Sequence, residues 1–99
     1  MQLIEKTKSL VDWVLVHDHL EWEHSRSGQY ESISSVVNDV RVDLTKYSSG
    51  NTVVYINNEQ IELTGKQQDM LAEFVGKIID KNFNKQERLA SAITKVLGE

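Results

Sequence analysis

The sequence contains no cysteine. That excludes disulfides, thiolate nucleophiles and cysteine-ligated zinc, and it fits a reducing compartment. Proline is also missing, so no linker is marked. No apolar run approaches the roughly 18 residues of a membrane-spanning helix. The N-terminal MQLIEKTKSL carries charges and lacks the apolar run of a secretory signal. A soluble, cytoplasmic protein with no membrane partner is the expectation. Charge of one sign is not concentrated either: the net charge is −4, with ten acidic and five basic side chains in residues 1–62 against five and six in residues 63–99. This is too weakly acidic for a polyanion mimic and too little basic for a general nucleic-acid binder. The five glycines are scattered, at 28, 50, 65, 76 and 98, and no GxSxG occurs. Phosphate-loop, dinucleotide and nucleophile-elbow chemistry are therefore unsupported, no cofactor is implied, and the chain reads as non-enzymatic.

What remains is 99 residues, 39% of them apolar, enough for a single domain over 1–99 with one modest core. The clearest stretch is 52–79. Val54, Ile56, Ile61 and Leu63 share one face of a hairpin, and a turn at Asn58-Glu59 sets Ile56 opposite Ile61 and Val54 opposite Leu63. A turn at Asn57-Asn58 would instead put Glu59 against Ile56, and the first register is favoured. Thr64 with Gln67 has the pattern of a capping box. A helix over 65–80 follows, with Met70, Leu71, Phe74, Val75, Ile78 and Ile79 in one apolar stripe. Gly76 inside it either permits close approach of another element or is an imperfection worth about 1 kcal/mol relative to Ala.

Upstream, residues 2–23 read as a helix whose core face carries Leu3, Ile4, Leu10, Val11, Val14, Leu15 and Trp22. Trp13, Val16 and Leu20 form a second stripe on the opposite side, edged by His17 and His24. A short strand through VDWVLVH is the competing reading. Residues 24–30 are expected to be a loop broken at Gly28, and residues 31–38 a turn of helix leading into a strand. Val40, Val42 and Leu44 then alternate with polar residues, as in a half-exposed strand. For them to share the face of Val54 and Ile56, the connecting loop must be odd in length, which Ser49-Gly50-Asn51 provides. Downstream, Asp80–Phe83 reads as a turn. Asn84 with Glu87 caps a second helix carrying Leu89, Ala92, Ile93, Val96 and Leu97, and Gly98 ends it. The expected fold is α+β: an N-terminal helix, a three-stranded antiparallel meander and two C-terminal helices packed on the sheet.

The segment VYINNEQIELTGKQQDMLAEFV resembles the strand, turn and first helix of winged-helix output domains of bacterial response regulators, and NKQERLASAITKVLG is similar to their second helix. The likeness spans about 45 residues and implies a helix-turn-helix geometry. The recognition helix and wing of that family would begin where this sequence ends. No DNA-reading residue is carried over.

Three candidate sites follow. The first is a protein-interaction surface of Trp13, Val16, His17, Leu20 and His24, through which the protein self-associates or binds another protein as an accessory or inhibitory factor, of the sort phages and mobile elements encode. The second is a weak metal constellation, His17, Glu21 and His24, spaced i, i+4 and i+7. The third belongs to a transcription-associated or nucleic-acid-binding alternative and comprises Lys77, Lys81, Lys85, Arg88 and Lys95. Asp80 and Glu87 interrupt that row and no aromatic is interleaved, so nucleic acid is an unfavoured partner.

Overall fold

The computed structural model describes residues 3–98. Helix α1 (Leu3–Leu15) leads through an irregular segment into β1 (Glu23–Arg26), β2 (Tyr30–Val37), β3 (Val40–Tyr47), β4 (Thr52–Ile56) and β5 (Glu59–Ile61), followed by α2 (Gly65–Leu97). The strands form one antiparallel sheet in chain order. The α+β class and the N-terminal helix agree with the sequence. The sheet has five strands rather than three, and one long C-terminal helix replaces two.

The extra strands come from residues 23–37, expected as a loop and a turn of helix. Ile33 and Val37 point into the core side of β2 while Val36, 65% exposed, points to solvent, so the helix-like spacing of Ile33, Val36, Val37 and Val40 is a coincidence of period. The β2–β3 turn is made by Asn38 and Asp39, both in the left-handed region (φ 51° and 66°), the geometry that matches strand twist in a tight hairpin. On the edge, β1 is short and polar, and Arg26 pairs with Glu31 across the strands at 2.9 Å.

Leu44 pairs with Val54 and Val42 with Ile56, so their shared face is as the parity argument requires. The loop is odd but begins one residue earlier, at Ser48-Ser49-Gly50. Tyr47 N–H donates to Asn51 O at 2.8 Å, and Gly50 takes φ 96°. The β4–β5 turn falls at Asn57-Asn58 (φ 51° and 71°), placing Ile56 opposite Glu59 and Val54 opposite Ile61. This corrects the expected register. A turn needing two positive φ values is better served by two Asn than by Asn and Glu, and a slip of two residues leaves every side chain on its original face.

Helix α1 stops at Leu15, not at residue 23. Its last turn tightens as His17 N–H donates to Val14 O at 3.0 Å, and the His17 ring donates through Nδ1 to Trp13 O at 2.6 Å while stacking on the Trp13 ring at 3.9 Å. Trp22 reaches the core from the irregular segment instead. It is 4% exposed, donates through Nε1 to His17 O at 3.1 Å, and meets Phe74 edge-on at 5.8 Å between ring centres. The core consists of Val11, Val14, Trp22, Ile33, Val42, Leu44 and Val54 under Leu71, Phe74, Val75, Ile78 and Ile79 of α2.

The capping box forms as expected: Gln67 N–H donates to Thr64 Oγ1 at 3.2 Å and Thr64 N–H to Gln67 Oε1 at 2.9 Å. The turn expected at Asp80–Phe83 does not. No proline or glycine interrupts the ladder there, the expected cap Asn84 lies inside the helix, and Asn82 donates its amide to Trp22 O at 2.9 Å. The helix-turn-helix step implied by the winged-helix resemblance is therefore absent. A methyl group at Gly76 would meet nothing within 4 Å, so close approach is not its role.

One buried side-chain polar atom lacks a partner among the described residues. The Thr52 side chain is fully enclosed and its hydroxyl makes no hydrogen bond, although its backbone N–H donates to Gln68 Oε1 at 3.2 Å. Thr52→Val removes the stranded hydroxyl and is expected to add about 1 kcal/mol and roughly 4–8 °C to the melting temperature. An unchanged or lower melting temperature would show that the hydroxyl is partnered in solution.

Candidate functional site

A 33-residue helix is about 50 Å long, and α2 outruns the sheet it packs on. The longest dimension of the molecule is 59 Å, and its radius of gyration is 15.6 Å, against about 13 Å for a compact chain of this size. Every residue from Phe83 to Gly98 is exposed. The expected packing of Leu89, Ile93, Val96 and Leu97 on the sheet is thus overturned; they stand 55%, 57%, 85% and 63% exposed.

These residues nevertheless continue the buried stripe. Eighteen residues make about five turns of helix, so Leu89, Ala92, Ile93, Val96 and Leu97 occupy the angular positions of Leu71, Phe74, Val75, Ile78 and Ile79. The apolar face of the first half of α2 therefore recurs in the second, after a polar interval at Asn82, Lys85 and Gln86; the sheet covers the first part and nothing described covers the second. Gly98, in the left-handed region at φ 75°, caps the end, with its N–H on Lys95 O and Thr94 O. Thr94 Oγ1 donates to Ala90 O at 2.9 Å. Capping and continuity with a packed helix hold this segment, where an isolated helix of about 15 residues is marginal in water.

Four of the basic candidates line up beside that face. Lys77, Lys81, Arg88 and Lys95 share one side of the single helix, and Lys85 stands at the edge of the apolar stripe, in its polar interval. Lys77 lies 3.5 Å from Asp18, and Lys81 donates to Asp18 O at 3.3 Å. Residues 81–98 carry four basic and one acidic side chain, whereas residues 1–80 carry seven basic and thirteen acidic. The projecting segment is a cationic arm on an anionic body.

The body has an apolar feature of its own. Between α1 and the sheet lies an open groove of about 340 Å³, lined chiefly by Leu3, Leu10, Trp13, Val37, Val40, Val42, Ile56 and Ile61. Nothing in the sequence pattern marks it, because these side chains come from five elements and no single periodic stripe contains them.

The helix 1 candidates are dispersed. Trp13 and Leu20 pack against the core, and Val16 is 68% exposed just beyond the end of α1. Since no helix joins residues 16–24, His17, Glu21 and His24 lose the common side that helical spacing gave them: His17 caps α1, Glu21 is exposed, and His24 lies on β1 within 3.4 Å of the Asn82 amide. Among the described residues no three His, Asp or Glu side chains are placed to hold a metal ion. On the outer face of the sheet a hydrogen bond from Arg41 to Asp43, at 2.9 Å, raises the guanidinium above its ordinary value, and Tyr47 raises Tyr55. Both shifts lead away from neutrality. Among the described residues no helix is long and apolar enough to cross a membrane.

Set against protein-family models, curated proteins and solved structures, the chain matches none.

Proposed function

We propose that the protein is a non-catalytic protein–protein interaction module that presents residues 83–97 of α2 as its binding element. The observation that supports this reading is the apolar stripe that repeats the buried one five turns further along and stays exposed. A stripe of this kind, once covered by a partner, uses the helix-in-groove mode of recognition. The earlier candidate surface around Trp13, Val16, His17, Leu20 and His24 is secondary, since Trp13 and Leu20 already serve the core. The test is capture from host extract followed by mass measurement of the native complex, comparing the natural chain with Leu89→Asp/Ile93→Asp. The natural chain should retain a partner and the double variant should lose it while remaining folded. Equal capture by both would remove the projecting helix from the interaction.

A second reading, a nucleic-acid-binding module, draws on the alignment of Lys81, Arg88 and Lys95 along one side of a single helix, with Lys85 next to them. Glu87 lies within the row, and Lys81 is partly engaged with Asp18. We expect duplex DNA and RNA to bind no more than weakly at low salt. A real site with three phosphate contacts would give a log–log salt slope of roughly −3, and submicromolar binding with that slope would put this reading first.

A further inference from the structure

We infer that the partner of the projecting helix is a second copy of this chain, and that each copy lays its residues 83–97 into the groove between α1 and the sheet of the other. The inference rests on the interaction reading above and identifies the occupant. Two apolar surfaces stand open on one molecule: the stripe of Leu89, Ile93, Val96 and Leu97, and the groove lined by Leu10, Trp13, Val40, Val42, Ile56 and Ile61. They cannot meet within one chain. The helix leaves the body past β1, where Asn82 holds Trp22 O and contacts His24, whereas the groove belongs to the β3–β5 side of the sheet. In a two-fold pair the mismatch disappears, because each helix leads away from its own groove and toward its partner's. Such an exchange is closed and buries both surfaces twice.

Charge selects the same occupant. The arm is cationic through Lys85, Arg88 and Lys95, and the body is anionic. Beside the groove stand Asp39, in the turn between Val37 and Val40, and Glu59, directly across from Ile56, although Lys6 also lines it. Direct pairing of two projecting helices is less favourable. Set antiparallel, they would place basic flank against basic flank.

The test is the oligomeric state of four 99-residue chains by sedimentation and native mass measurement. The natural chain should be a dimer at micromolar concentration. Leu89→Asp/Ile93→Asp, which changes only exposed residues, should be a folded monomer. Asp39→Asn/Glu59→Lys should weaken the dimer about tenfold or more, as should Lys85→Glu/Arg88→Glu/Lys95→Glu. Mixing these last two should restore a heterodimer, because the acidic arm of one meets the altered groove of the other while the remaining contact keeps its natural charges. A natural chain monomeric at high micromolar concentration overturns the proposal. So does an Asp39→Asn/Glu59→Lys chain that dimerises as well as the natural one, which points to helix-to-helix pairing. Should the chain be monomeric while capture of a foreign protein still depends on Leu89 and Ile93, the second copy is excluded and the interaction reading stands. Binding of the monomer to anionic phosphatidylglycerol vesicles, with no dimer, overturns the proposal in favour of a lipid surface.

Discussion

Leu71→Ala is expected to cost about 2–5 kcal/mol of folding free energy, and Leu89→Ala, five turns further along the same helical face, to stay within about 0.5 kcal/mol when measured in dilute monomer. The two leucines share residue type, helix and angular position, so propensity and local backbone contribute alike. What differs is cover. Leu71 is wholly buried beneath the sheet, and its truncation removes apolar contact and leaves a cavity; Leu89 is 55% exposed and its truncation leaves none. Urea unfolding followed by circular dichroism checks both, with the slope expected to be unchanged in either variant. Comparable losses in the two variants would mean that the second half of α2 is packed in the monomer, and the projecting arm would then have to be abandoned. Raising the concentration gives a further contrast: Leu89→Ala should become destabilising only where association contributes to stability.

The same pair shows what the sequence could and could not disclose. Periodicity reveals that a face is apolar, and it marked Leu71 and Leu89 each on an apolar stripe, but of two separate helices rather than of one. It does not reveal what covers the face, and a stripe without a partner reads the same as one with a sheet above it. Capping chemistry was legible where it is local and unrivalled, at Thr64 and Gln67. Asn84 and Glu87 offered the same signature in mid-helix, where the backbone ladder prevailed because nothing stood in its way. Ser25, Ser32, Ser34 and Ser35 obscured two strands, since apolar alternation on β2 survives at little more than Ile33 and Val37. In α1 the expected core face holds at Leu10, Val11, Val14 and Leu15 but not at Leu3 and Ile4, which are 68% and 80% exposed, and Leu20 and Trp22 continued the period by accident from a segment that is not helical. A core can be filled from an irregular segment as well as from a helix, and the wheel has no means of telling these apart. The groove was the least legible feature, being a property of how five elements meet.

Trp22→Ala is expected to be the most damaging single truncation outside α2 and the sheet, at about 3–5 kcal/mol, against a total stability of about 5–15 kcal/mol for a domain of this kind. The indole does three things at once. It fills core space, it meets Phe74 edge-on at 5.8 Å, and its Nε1–H holds His17 O at 3.1 Å, fastening the irregular segment to the end of α1. Its own carbonyl accepts from Asn82 at 2.9 Å, at the point where α2 leaves the body. Trp22→Phe keeps one aromatic ring in the core while losing the Nε1 hydrogen bond and the rest of the indole's volume, so its loss should be smaller, about 1–3 kcal/mol, and the difference between the two variants measures what the retained ring contributes. Hydrogen exchange adds a spatial readout. In Trp22→Ala, amide protection should fall in α1 and around Asn82 before it falls in β3 and β4, because those strands hold each other through ladder bonds that do not involve the indole. If Trp22→Ala keeps natural stability, residues 16–22 are not docked as described. The exit of α2 past β1, on which the separation of arm and groove depends, would then lose its anchor.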